Sequence, residues 1–80
     1  MRNPKAVARV RKELGRNIWQ KRKALGLTQA ETAERAGLHP RHYQKIEAGE
    51  SNVSLSSIVG IAYALETTVA ALFAERRAGT

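Results

Sequence analysis

Of four side chains in one short stretch, Arg41, His42, Gln44 and Lys45, three are of types that commonly hydrogen-bond to the edges of bases. Arginine and lysine match the paired acceptors of guanine, and glutamine matches the donor and acceptor of adenine. Helical spacing turns these residues away from Tyr43 and Ile46, which mark the inner face, with Glu47 beside them. No acidic residue stands on the outer face. A short capped helix, a tight turn and a second short helix also make an ordinary helical hairpin in a small bundle; what favours a helix that presents base-reading groups to a duplex is this outer face.

Other chemistries lack their parts. His39 and His42 are three apart, a spacing that serves a metal, but there is no third histidine and no cysteine to complete a site. The chain has no aspartate, and its seven acids are glutamates that stand singly or on exposed faces, which argues against a carboxylate–metal nuclease. The serines of 51–57 are explained by caps and turns. We therefore expect no metal, no cofactor and no enzymatic activity, for want of a convergent acid, base and nucleophile.

Helix signals dominate the elements that must carry the reading face. A first helix spans about Lys5 to Leu25, with Val7, Val10, Leu14, Ile18 and Leu25 on one stripe that Arg22 interrupts. Thr28, with Glu31 three residues later, is a capping box that opens a second helix, and Gly37 closes it. His39 at the cap and Pro40 at the first helical position start a third, which runs to about Ala48. Ser54 caps a fourth, expected to bury Leu55, Ile58, Ile61, Ala62 and Leu65. Thr68 caps a short fifth with Val69, Leu72 and Phe73. Trp19 and Tyr63 are read as core or interface filler.

Eighty residues with 42% apolar content make one modest domain, 1–80, which a partner subunit would stabilise. The net charge is +7 and is unevenly placed. Residues 1–23 hold nine bases against Glu13 alone, a net of +8, and the remainder carries −1. Such an excess favours polyanions, because each neutralised phosphate releases a counterion. Anionic lipid or an acidic protein would feel the same attraction. No apolar run approaches the roughly 20 residues of a membrane span, and the first residues are too polar for a secretory signal. A cytoplasmic location is expected, on the nucleoid when bound, with no membrane partner.

The segment Leu25-Gly26-Leu27-Thr28-Gln29-Ala30-Glu31-Thr32-Ala33-Glu34-Arg35-Ala36-Gly37, followed by Tyr43-Gln44-Lys45-Ile46-Glu47-Ala48-Gly49, resembles the phage lambda-repressor/Cro-type (XRE-like) helix-turn-helix family. The likeness runs from about Leu14 to Phe73. It implies an all-α, compact five-helix fold with a core at about 14–73 and the helix-turn-helix at about 28–48. It implies a transcription regulator that binds double-stranded DNA, with Gln29 clamping a phosphate, Pro40, Arg41, Gln44 and Lys45 reading bases, and His39, Tyr43 and Asn52 touching the backbone. His42 joins this set on the outer face. The pattern Gly-x-x-Asn-Val-Ser-Leu from Gly49 to Leu55 looks like that of restriction–modification controller proteins.

The resemblance also implies an ion pair between Arg22 and Glu47. The residues agree, since each charge interrupts an apolar face and would be costly to bury alone. Relatives often dimerise through their last helices, which places Val69, Leu72 and Phe73 at a two-fold contact in a homodimer. Departures have consequences of their own. Thr32 replaces a usual leucine, which predicts looser packing under the second helix. Glu66 replaces a usual glycine, which predicts a strained turn, and the loop Glu50-Ser51-Asn52 lacks the usual bases. The competing function is an antitoxin-type or other protein-interaction module on the same fold; a lipid anchor through the first helix is weakened by its few large apolar residues.

Overall fold

Each helix begins on a side chain that accepts a hydrogen bond from its own first turn, and these caps set where the chain changes direction. In the computed structural model, which describes residues 3–75, Asn3 Oδ1 accepts from the Ala6 N–H at 3.0 Å and opens α1, Pro4–Ala24. Thr28 opens α2, Gln29–Ala36, and His39 opens α3, Pro40–Glu47. Ser54 opens α4, Leu55–Ala64, and Thr68 opens α5, Val69–Leu72. The fold is all-α, with five helices and no strand among the described residues.

α4 packs against α2 and α5, while α1 packs against α3 and α5. Two close crossings set the spacing. A Cβ at Gly15 would collide with the Glu47 carbonyl oxygen, so glycine lets α1 meet the end of α3 backbone to backbone. Gly60 does the same for α4 against the Ala36 carbonyl. The core between these crossings is built from Leu14, Ile18, Ala33, Tyr43, Ile46, Ile58, Ile61, Ala62, Leu65 and Leu72. Burial of such side chains contributes about 1.5–3 kcal/mol each against exposure, which is what the caps and crossings organise.

Two polar side chains inside this core, Thr32 and Asn17, have partners. Thr32 is fully buried, and its hydroxyl donates to the Thr28 carbonyl at 2.9 Å. A polar side chain thus occupies a core position by spending its donor on its own helix. Asn17, also buried, donates through Nδ2 to the carbonyls of Leu72 (2.8 Å) and Ala74 (2.9 Å), tying α1 to the end of α5. Glu66 adopts φ 56°, the left-handed conformation expected to strain the turn after α4.

Several apolar residues lie elsewhere than their spacing predicts. Leu55 is 77% exposed rather than buried. As the first residue of α4 it stands at the edge of the buried stripe, in line with Val59 and Tyr63 at four-residue steps. Tyr63 is 81% exposed and Trp19 about half exposed, so neither fills the core; Trp19 instead holds the Lys23 ammonium 5.9 Å from its ring centroid. Val7, Val10 and Leu25 are partly exposed as well, and the first buried residue of α1 is Leu14. The opening turns of α1 therefore run ahead of the main core. Leu72, assigned to a two-fold contact, is 0% exposed and belongs to the core of the single chain.

Candidate nucleic-acid interface

The bend between α2 and α3 is made by residues suited to it. Thr28 Oγ1 accepts from the Glu31 N–H at 3.0 Å, and Glu31 Oε1 accepts from the Thr28 N–H at 2.8 Å, which closes the capping box. The Thr28 backbone N–H, and after it the Thr28 hydroxyl, hold the Glu31 carboxyl below its ordinary value of 4.5. Gly37 then takes φ 72°, and the Leu38 N–H returns to the Ala33 carbonyl at 2.9 Å. His39 caps the next helix through Nδ1, which accepts from the Arg41 N–H at 3.1 Å.

α3 is sharply two-sided. Tyr43, Ile46 and Glu47 are buried, while Pro40, Arg41, Gln44 and Lys45 are exposed and His42 is half-buried. The bases and the amide proposed for base reading thus share the open side of one eight-residue helix. Tyr43 does not belong with them. Its side chain is 0% exposed, and its hydroxyl is enclosed without a hydrogen-bond partner, so it cannot touch a DNA backbone. Burial raises the pKa of this phenol far above its usual range, and the neighbouring Glu47 carboxylate adds to the effect.

Beneath α3 lies a polar seam. Arg22 Nε donates to Glu47 Oε1 at 2.8 Å and to Oε2 at 3.2 Å, and both side chains are nearly buried. Arg22 Nη1 also donates to the Leu27 carbonyl at 2.8 Å, and Gln29 Nε2 donates to Glu47 Oε2 at 2.8 Å. One carboxylate therefore joins α1, the start of α2 and the end of α3. Gln29 thus gives one of the two hydrogens of its half-buried amide nitrogen to Glu47, and the second stays available beside the backbone N–H groups of this helix start.

The loop after α3 gains a charge that its own residues lack. Arg11 Nε donates to Asn52 Oδ1 at 3.0 Å, and Arg11 Nη2 contacts the same oxygen. A guanidinium from α1 thus sits beside Asn52, at the point where Glu50-Ser51-Asn52 offers no base. Sequence reasoning missed Arg11 and Asn17; the one available signal for Asn17 was a polar residue set between Leu14 and Ile18. Val69 is half-buried and Phe73 is exposed at the end of α5.

Residues 20–72 match the family model described as Helix-turn-helix. The chain belongs to the helix-turn-helix family. No curated protein sequence matches it significantly. Among solved structures, the restriction–modification controller protein C.AhdI from Aeromonas hydrophila is similar at 33% identity and TM-score 0.76, over 79% of this chain and 96% of that one. A hypothetical transcription factor, NHTF, from Neisseria is similar at 29% identity and TM-score 0.77, over 81% of this chain and 75% of that one. An HTH_3-family transcriptional regulator from Vibrio cholerae is similar at 27% identity and TM-score 0.78, over 84% of this chain and 38% of that one. In this helix-turn-helix chain the family match takes in α2 to α5 and only the last turns of α1. No described helix is long and apolar enough to cross a membrane, and no group of three or more His, Cys, Asp or Glu among the described residues is placed to hold a metal ion.

Proposed function

We propose that the chain is a sequence-specific transcription regulator that binds double-stranded DNA and reads a two-half-site operator as a homodimer. The observation that carries this reading is the division of α3, with Tyr43, Ile46 and Glu47 sealed inside and Arg41, Gln44 and Lys45 exposed together. A helix held by its inner face and armed on its outer face suits a major groove, about 12 Å wide. Arg41 and Lys45 are the guanine readers and Gln44 the adenine reader. Pro40 and His42 flank them, while His39, Arg11 and Asn52 stand where backbone phosphates would pass. The similarity to a restriction–modification controller and to transcriptional regulators supports the same reading.

The dimer rests on an exposed apolar row along α4: Leu55, Val59 (51% exposed) and Tyr63. Arg35 and Glu66 line a depression beside Tyr63. A two-fold contact is self-complementary, so this patch of one copy would meet the same patch of the other across the axis. Phe73 is exposed at the end of α5, whereas Leu72, being core, is not available to a contact. Such a pair would set its reading helices about 34 Å apart, one turn of duplex.

Selection of bound sequences from a random duplex pool tests the proposal. The expected result is a palindromic motif with half-site centres about one helical turn apart. Enrichment of no motif would refute base reading, and a single unpaired half-site would refute the dimer.

A further inference from the structure

The first half of α1 carries charge that the reading helix does not use. Lys5, Arg9, Lys12 and Arg16 follow one another at steps of four, three and four residues, which places them on one face of α1. All four are exposed, and among the described residues none forms a salt bridge. Together with Ala8 and Glu13 they line one open depression, in which Glu13 is the one acid among the described residues. At 1.5 Å per residue the row is about 16 Å long, close to five base-pair steps of duplex. It lies wholly before residue 20, where the family match begins.

This ridge is joined to the proposed interface. A Cβ at Gly49, the residue that stops the chain after α3, would stand 3.2 Å from Lys12 Cα. Arg11, next to Lys12, is bonded to Asn52 in the following loop. The ridge thus starts beside the end of the reading helix and runs away from it along α1. We infer that it holds the phosphate backbone of duplex DNA beyond the half-site that α3 reads. The inference rests on the DNA-binding reading above and extends it to a flanking, sequence-independent contact. A lipid surface fits less well. The exposed apolar residues Val7 and Val10 lie on the other side of the helix, in a groove with Val53 and Phe73, so the apolar side chains and the ridge do not face one surface together.

The experiment compares two duplexes that share the selected operator, one ending at its edges and one extended by a helical turn on each side. Wild type is titrated against both over a range of salt, alongside Lys5→Gln/Arg9→Gln/Arg16→Gln; Lys12 is kept because of its contact with Gly49. Wild type should bind the extended duplex more tightly and with the steeper salt dependence. The triple variant should lose roughly ten-fold on the extended duplex, with a log–log salt slope smaller by about 2.7, and bind both duplexes alike. Arg9→Gln alone should show about a third of that slope change. Equal wild-type affinity for the two duplexes, or an equal loss by the variant on both, would overturn the ridge. So would binding to phosphatidylserine vesicles that the substitutions abolish without any flank effect. The parent reading fails by a different sign, a lack of preference for the operator over a scrambled duplex of equal length, and a flank effect is measurable on either sequence.

Discussion

Arg22 and Arg16 lie six residues apart on α1 and meet opposite surroundings. Arg22 is buried, and its guanidinium is shared between Glu47 and the Leu27 carbonyl. Arg16 is exposed in a row with Lys5, Arg9 and Lys12 and has no acid bonded to it among the described residues. The same residue type on the same helix thus positions the reading element in one place and offers charge to solvent in another. Availability of a carboxylate at the right depth decides between them. Glu47 arrives there because Gly15 admits the end of α3 against α1.

The largest effect that would sharpen this contrast comes from breaking the buried pair. Glu47→Ala leaves Arg22 enclosed without a counter-charge, and urea denaturation should show a loss of about 3–5 kcal/mol. Replacing both partners, as in Arg22→Met/Glu47→Leu, should restore most of that loss, because the cost lies in the stranded charge. A loss in the double variant as large as in the single would mean that the carboxylate acts through Gln29 alone.

A smaller effect separates caps from pairs. The Glu31 carboxyl is held below 4.5 by its bonds to Thr28, so its contribution is complete above that value and disappears as pH falls through the lowered one. Glu31→Gln should therefore be less stable than wild type at neutral pH, with the gap closing in acid. Smallest of all, Arg16→Gln should leave stability within about 0.5 kcal/mol. A clear drop in its melting temperature would show that the exposed ridge is structural after all and erase the contrast.

How far the sequence could be read depends on which force sets each feature. Caps and stops are local, and Thr28 with Glu31, Gly37, and His39 with Pro40 mark α2 and α3 without help from the rest of the chain. The two-sidedness of α3 was legible for the same reason, whereas the pairing of Arg22 with Glu47, 25 residues apart, was implied by the family resemblance, with which the two interrupted apolar faces agreed. Periodicity assigns a residue to a face but does not say what covers that face. Leu55 follows the spacing of Ile58 and Ile61 yet stands exposed at the start of α4. Tyr43 carried two readings, inner face and backbone contact, and only its enclosure between helices decides against the second. Leu72 fits a dimer patch or a core equally well until α1 and α4 are seen closing over it. The Arg11–Asn52 bond joins residues 41 apart in the chain, a distance at which no local pattern operates.

The central claim is that α3 offers Arg41, Gln44 and Lys45 to base edges from a scaffold that does not depend on them. Titration of Arg41→Ala against the selected operator and its single-base variants tests it most directly. Affinity should fall by about 1–3 kcal/mol and discrimination should relax at one or two positions, with the melting temperature unchanged. Full wild-type affinity and discrimination in the variant would contradict the account.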